Sequence, residues 1–219
     1  MTKMELIARH VSRLQMLHAL RTRWQSKMGA KRKRSTSCIP ESKSSSWEGS
    51  YWLVKSEPES RYVDGQDVSY PLSRMIQDQT TPWTGIRNYQ ARNFVQKMRI
   101  GDRAFFYHSN CKHPGIVGIC SVVSEPFPDP TQFDPQDKYF DAKSSLENPR
   151  WFSVTMQFER KLEREIGLSE LKSLASSPEL CSMYLLKTSR LSVQPISQIE
   201  WDFILSLESQ SPERNISQE

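Results

Sequence analysis

Three short stretches of the 219-residue chain set polar side chains beside aromatic rings: Lys55-Ser56-Glu57-Pro58, Trp83-Thr84-Gly85-Ile86-Arg87-Asn88-Tyr89 and Tyr107-His108-Ser109-Asn110. Flat rings next to amides and hydroxyls suit the capture of a nucleobase drawn out of its stack. Such a base needs apolar walls for its faces and a few hydrogen-bonding groups for its edge. Trp83, Tyr89, Tyr107 and Trp151 offer walls, and Ser56, Asn88, Asn93, Ser109 and Asn110 offer donors and acceptors. Stacking on an aromatic ring is worth roughly 1–3 kcal/mol per base, so two walls and two hydrogen bonds hold a base without a basic surface. On composition alone, Trp83 and Tyr107 read more readily as ordinary core rings than as pocket walls, because large aromatics are mostly buried.

Two other chemistries compete for the same residues. His108, Cys111 and His113 put three metal donors within six residues, but a closed zinc site needs four and no fourth is evident. A nucleophile is conceivable at Cys111 beside those histidines, or at Ser56 beside Lys55. Neither has an evident orienting group or oxyanion hole. Neighbours on a strand also point to opposite faces, so Lys55 and Ser56 need not meet. The expectation is a binding protein with no catalytic residues, no metal and no cofactor.

The elements that would position these side chains mix strands and helices. Tyr51–Val54, Arg103–Ser109, Ile116–Ser124 and Leu191–Val193 read as short apolar strands, and Trp151–Glu159 alternates as a half-buried one. Between Asn88 and Arg99, Ala91, Phe94, Val95 and Met98 recur at helical spacing, with Asn88 as cap and Gly101 as stop. Pro71–Gln77 and Ser169–Ala175 predict shorter helices. Pro195 opens a last one in which Ile196, Ile199, Phe203 and Leu207 share a face. Five prolines punctuate residues 125–150, a long loop of the kind that often carries function. Thirteen prolines and eight glycines disfavour a helical bundle. Strands outnumber helices without alternating regularly, which predicts an α+β fold, a curled mixed sheet with helices at its rim.

Charge divides the chain. Residues 1–50 hold eleven Lys/Arg against three Glu, a surplus of eight, and the remainder holds nineteen against twenty-two, a deficit of three. Non-specific phosphate binding needs clustered cations, so the folded part must rely on a concave site rather than on bulk charge. Residues 1–49 read as a basic, Ser-rich disordered arm, 50–207 as the domain and 208–219 as a disordered tail. The first 27 residues combine helical periodicity with Arg-rich composition, as a mitochondrial presequence or an exposed amphipathic helix does. Met28 heads a second plausible start, which sets Lys31-Arg32-Lys33-Arg34 near a terminus as a nuclear-import signal. A nuclear address is therefore expected, with a mitochondrial one as the alternative if translation starts at Met1. The four cysteines show no CxxC pairing and read as reduced thiols. No apolar run approaches the ~18–20 residues of a membrane span.

Several long motifs, in order, carry a resemblance: YWLVKSEPES (Tyr51–Ser60), TPWTGIRNYQARNF (Thr81–Phe94), GDRAFFYHSNCKHPGIVG (Gly101–Gly118), FPDPTQFDP (Phe127–Pro135), ENPRWFSVTMQF (Glu147–Phe158) and RLSVQPIS (Arg190–Ser197). Over about three-quarters of its length the chain resembles the EVE domain family. The resemblance implies a PUA-like open, mixed-sheet β-barrel, related to the YTH readers of methylated adenosine. It implies binding of a modified base, with 5-hydroxymethylcytosine or another modified cytosine in DNA suggested for animal members and modified RNA as the alternative. By position, Lys55, Ser56 and Glu57 stand in a first pocket motif, and Trp83, Arg87, Asn88, Tyr89 and Asn93 in a second. Tyr107, His108, Ser109 and Asn110 stand in a third, with Trp151 as a further wall by analogy with YTH domains. Arg92, Lys97 and Lys112 are expected to contact flanking phosphates, and the protein to act as a monomer. Thr84 departs from the family's usual Asp, Phe140 and Ala142 from its usual YYDP, and Lys187-Thr188-Ser189 shortens the loop before RLSV.

Overall fold

The computed structural model describes residues 49–210, apart from positions 64 and 189. The periodic segment 1–27, the basic tetrad 31–34 and most of the expected tail lie outside the described residues.

The aromatic and β-branched run Tyr51–Ser56 forms β1, the second strand of a six-stranded sheet. It pairs antiparallel with β10 (Val193–Ile196) and parallel with β5 (Arg103–His108). The sheet continues through β6 (Gly115–Val122) and β9 (Thr155–Gly167) to β4 (Thr80–Pro82), all antiparallel. Bulges at Phe106/Tyr107, Ile116/Gly118 and Ile119/Cys120 break the register and strengthen the twist, so the mixed sheet curls into an open half-barrel. A Cβ added at Gly115 would stand 2.8 Å from the carbonyl oxygen of Ile166, so this position admits only glycine without a shift of β9. Two ribbons flank the sheet, β2 (Tyr62–Val63) with β3 (Gln66–Asp67), and β7 (Phe127–Pro128) with β8 (Phe152–Ser153).

Strict alternation along β1 and β5 gives the sheet two apolar faces. Trp52, Val54, Ala104 and Phe106 pack with α1 (Leu72–Asp78) and α2 (Tyr89–Val95) through Leu72, Met75, Ala91 and Val95. Tyr51, Leu53, Phe105 and Tyr107 pack instead against α3 (Leu168–Ser173), α4 (Tyr184–Lys187) and α5 (Gln198–Glu208). Trp201 seals this second face, stacked 4.0 Å from Phe105 and 4.4 Å from Tyr51.

The α+β, curled mixed-sheet architecture is the one the sequence predicts, and several boundaries differ for identifiable reasons. Pro195 does not open the final helix; it lies in β10 opposite Trp52, where an edge strand tolerates its missing N–H. The helix begins after Ser197, whose hydroxyl accepts from Glu200 N while Glu200 accepts from Ser197 N, a full capping box. Its buried face is Trp201, Ile204 and Leu207, and Ile199 is largely exposed. The helix at Tyr89–Val95 ends early: the amides of Lys97 and Met98 donate three residues back, to the carbonyls of Phe94 and Val95, and Asp102 Oδ2 accepts the next amide, that of Arg99. β9 runs past Glu159 to Gly167, burying Leu162 and Ile166 at strand spacing inside a charged run that hid the alternation.

Candidate functional site

At the C-terminal end of β1 the sheet opens into a cleft of about 620 Å³. Its floor is Ser56 and Glu57. One wall runs from Thr81 through Trp83 to Ile86, another is Asp67–Tyr70 with Arg74, and Ser109–Asn110 and Lys138–Tyr139 close the rim. β1 and β5 deliver Ser56 and Ser109 together: the amide and hydroxyl of Ser109 both donate to the Ser56 carbonyl, at 2.8 and 3.0 Å. Asn110 then turns the chain at φ 53°, a left-handed conformation that Asn tolerates.

Ser56 shares the face of Trp52 and Val54, and its side chain is therefore presented on the side of the sheet where Trp83 packs. The residue is 7% exposed, and its Oγ is a buried polar atom with no hydrogen-bond partner in this structure. Leaving such a group unmet costs about 1–3 kcal/mol, an expense that a bound hydrogen-bonding ligand removes. Beside it, Glu57 Oε2 faces Arg61 Nε at 3.0 Å, an ion pair that lacks hydrogen-bond alignment.

Trp83 is half-buried and held by its backbone, with its amide donating to the Val154 carbonyl at 2.8 Å. Tyr70 and Phe106 meet it edge-on, at 6.1 Å and 85° and at 5.7 Å and 77°. Among the described residues no ring lies parallel on the indole. Tyr70 is fixed in turn by its hydroxyl, which donates to Asp78 at 3.0 Å; burial first, and then Asp78, pushes the phenol up to about 12. It stays neutral across the physiological range.

The rim loop 125–150 is ordered by buried carboxylate and amide groups. Asp129, fully buried, accepts from Gly85 N, Thr131 N, Thr131 Oγ1 and the Arg87 guanidinium. Arg87 also donates to Thr131 Oγ1 and to the Tyr139 carbonyl, so it pins the loop that brings Tyr139 over Gly85. Gln132 bridges the loop to Trp151 through both of its amide atoms. Asp129 and Tyr139 were not among the site residues expected from sequence; the FPDPTQFDP motif held the only signal for the former.

The structure divides the sequence-expected residues. Lys55, Ser56, Glu57, Trp83, Ser109 and Asn110 line the cleft. Tyr107, 2% exposed, belongs to the second core face, because it alternates away from the cleft on β5. Lys55 Nζ lies 5.6 Å from its ring centroid, and burial lowers that ammonium's pKa. Asn88 caps α2, its Oδ1 accepting from Gln90 N and Ala91 N at 2.9 and 3.1 Å. His108 Nε2 accepts from Leu72 N at 3.1 Å, which ties α1 to β5; burial pulls its pKa down, with Glu165 opposing. Arg87, Tyr89, Asn93 and Trp151 gather elsewhere: Trp151, 5% exposed, stacks on Tyr89 at 4.9 Å and donates from Nε1 to Asp141. Tyr89 accepts from Arg150, and Asn93 accepts from Arg92. Lys97 lies by the ring of Phe94, and the Lys112 amide donates to Glu59.

Charge around the cleft departs from that of the domain as a whole. Its lining holds Lys55, Arg61, Arg74, Lys138 and Arg190 against Glu57 and Asp67. Cations focused in a concavity raise local anion density even where the net charge is negative. Cys111 lies outside this lining, and burial raises its thiol pKa, the reverse of nucleophile activation. Among the described residues, no group of three His, Cys, Asp or Glu side chains is placed to hold a metal, and no helix is long and apolar enough to cross a membrane.

The EVE domain profile matches residues 50–207. Thymocyte nuclear protein 1 of Gallus gallus is 50% identical over 169 residues, covering 74% of this chain and 70% of the relative. An uncharacterized Schizosaccharomyces pombe protein, C21.03c, is 44% identical over 165 residues, covering 73% and 69%. Among solved structures, human THYN1 in complex with 5-methylcytosine-containing DNA superposes with a TM-score of 0.73 at 47% identity, covering 75% of this chain and all of that one.

Proposed function

The chain belongs to the EVE domain family, and from that premise we propose that it is a non-catalytic reader whose cleft holds one modified cytosine everted from DNA. The observation that carries this reading is the pairing of Trp83 with Ser56. A half-buried indole with no parallel ring partner faces the same hollow as a buried hydroxyl with no hydrogen bond. The first meets the face of a base and the second its polar edge. Lys55, Glu57, Ser109 and Asn110 complete the lining in this reading.

The human relative crystallised with 5-methylcytosine DNA supports a cytosine in DNA as the ligand. Within that class we put 5-hydroxymethylcytosine first, because its added hydroxyl offers the unmet Ser56 oxygen a partner that a methyl group lacks. A volume of about 620 Å³ accommodates the larger substituent; small-molecule sites span roughly 300–1,000 Å³. Absence of chemistry fits the same residues: Ser56 has no base within hydrogen-bonding distance, and the His108 ring nitrogen nearest α1 is already occupied as an acceptor. A nuclear address is supported by the names of the vertebrate relatives and by the basic tetrad 31–34.

The deciding experiment is a binding panel with one oligonucleotide sequence carrying cytosine, 5-methylcytosine or 5-hydroxymethylcytosine, made as DNA and as RNA. Tighter binding of a modified DNA strand than of its plain counterpart is expected. Equal affinity for both would remove the reading, and dependence on the 2′-hydroxyl would move the ligand to RNA.

A further inference from the structure

A continuous series of ring and guanidinium contacts leads away from the wall of the cleft. Arg87 lies 5.3 Å from the Tyr139 ring and 5.5 Å from that of Trp151. Trp151 stacks on Tyr89, which is 50% exposed and carries Arg92 at 4.9 Å and Arg150 at 5.7 Å from its centroid.

The three arginines differ in what offsets their charge. Arg87 is ion-paired to buried Asp129 at 2.9 Å, and Arg150 to Asp141 at 2.8 Å. Arg92 has no carboxylate at ion-pair distance among the described residues. Its Nε and one terminal nitrogen donate to Asn93 Oδ1, at 3.0 and 2.7 Å, and the other donates to the Arg150 carbonyl at 3.1 Å. These acceptors are neutral, and they use three of the five N–H groups of a guanidinium. What remains is a cation locked in orientation, with two donors unspent and no anion against it. That is the form in which arginine binds a phosphate.

We propose that Arg92, braced by Tyr89 and Asn93, binds a backbone phosphodiester of the strand whose base occupies the cleft, a few nucleotides along from that base. The inference rests on the reader assignment for its partner and on the Arg92 geometry for its location. It selects Arg92 from the three cations that the sequence offered for phosphate contact. Lys97 and Lys112 take no part in this cluster.

The test compares the full chain with Arg92→Gln, Arg92→Lys and Lys161→Gln, the last removing one exposed charge on β9. Each is titrated by fluorescence anisotropy with modified and plain strands over a range of NaCl concentrations. Arg92→Gln should weaken both strands about tenfold. It should leave their ratio unchanged and flatten the salt slope by about 0.7–0.9, one phosphate's worth. Arg92→Lys should restore the slope while recovering only part of the affinity, and Lys161→Gln should match wild type. Three outcomes overturn the proposal: an unchanged slope in Arg92→Gln, an equal loss in Lys161→Gln, or a change in the modified-to-plain ratio. Equal binding of both strands by wild type would instead count against the reader assignment alone, and the slope would still report on Arg92.

Discussion

Gly85 and Tyr139 occupy each other's space: a Cβ built on Gly85 would stand 2.5 Å from a ring carbon of Tyr139. The glycine is also left-handed, at φ +81°, and its amide donates to Asp129 at 2.8 Å. The ring can close the cleft only because position 85 has no side chain. Gly85→Ala should therefore cost about 1–2 kcal/mol in stability from the backbone conformation. It should also displace Tyr139 and weaken modified-strand binding. Thermal melting and anisotropy together check this, and wild-type affinity in a folded variant would contradict it.

Trp83→Ala removes the proposed stacking wall. The loss expected is roughly 1–3 kcal/mol, or about five- to 150-fold in Kd, with the preference for a modified strand abolished. Trp83→Phe should keep part of both. A variant that melts normally and still discriminates would move the base-binding surface away from the indole.

Asn88 and Tyr107 separate the sequence reading from the structural one. Asn88→Ala should lower stability by about 0.5–2 kcal/mol through loss of the helix cap, with no change in strand preference. Tyr107→Phe should leave that preference equally untouched, since the ring faces the second core. Urea titration paired with the binding panel reads out both. A selective loss of modified-strand binding in either variant would restore these residues to the ligand.

His108 gives the fold a pH dependence with a definite sign. Its pKa lies below the ordinary 6.5 because burial disfavours the imidazolium, and Nε2 must stay unprotonated to accept from Leu72 N. Below 6.5 the unfolded chain takes up the proton more readily than the folded one. The stability this group contributes is thus complete above pH 6.5 and is lost as the pH falls from there through the lowered folded value. Melting temperature recorded from pH 7.5 to about 5 should decline, and less steeply in His108→Gln. Identical slopes in the two proteins would rule out this residue as the source.

The basic arm should act independently of the cleft. Removing residues 1–49, which carry the surplus of positive charge, should weaken binding to plain and modified strands alike and reduce its salt sensitivity. The ratio between the strands should persist. Loss of that ratio on truncation would make the arm part of the selective site.

By itself the sequence determined the class of fold, the first strand and most of the other elements, because these follow from local periodicity and from motifs long enough to identify a family. The alternation Tyr51, Leu53 against Trp52, Val54 was legible as a strand. That both sets would be buried was not, since this requires helices from opposite ends of the chain to cover the two faces. The same limit applied to the candidate site. The pocket motifs were found as contiguous strings, but a strand sends alternate residues to opposite sides. Tyr107 therefore left for the core, while Ser56, one strand away, was presented to the cleft. Asp129 and Tyr139 lie more than 40 residues from the Gly85 they meet; the FPDPTQFDP motif marked the first without saying what it would touch, and no local pattern marked the second. Chain-distant contact, and the burial that leaves the Ser56 hydroxyl unmet, were decided by the tertiary structure alone.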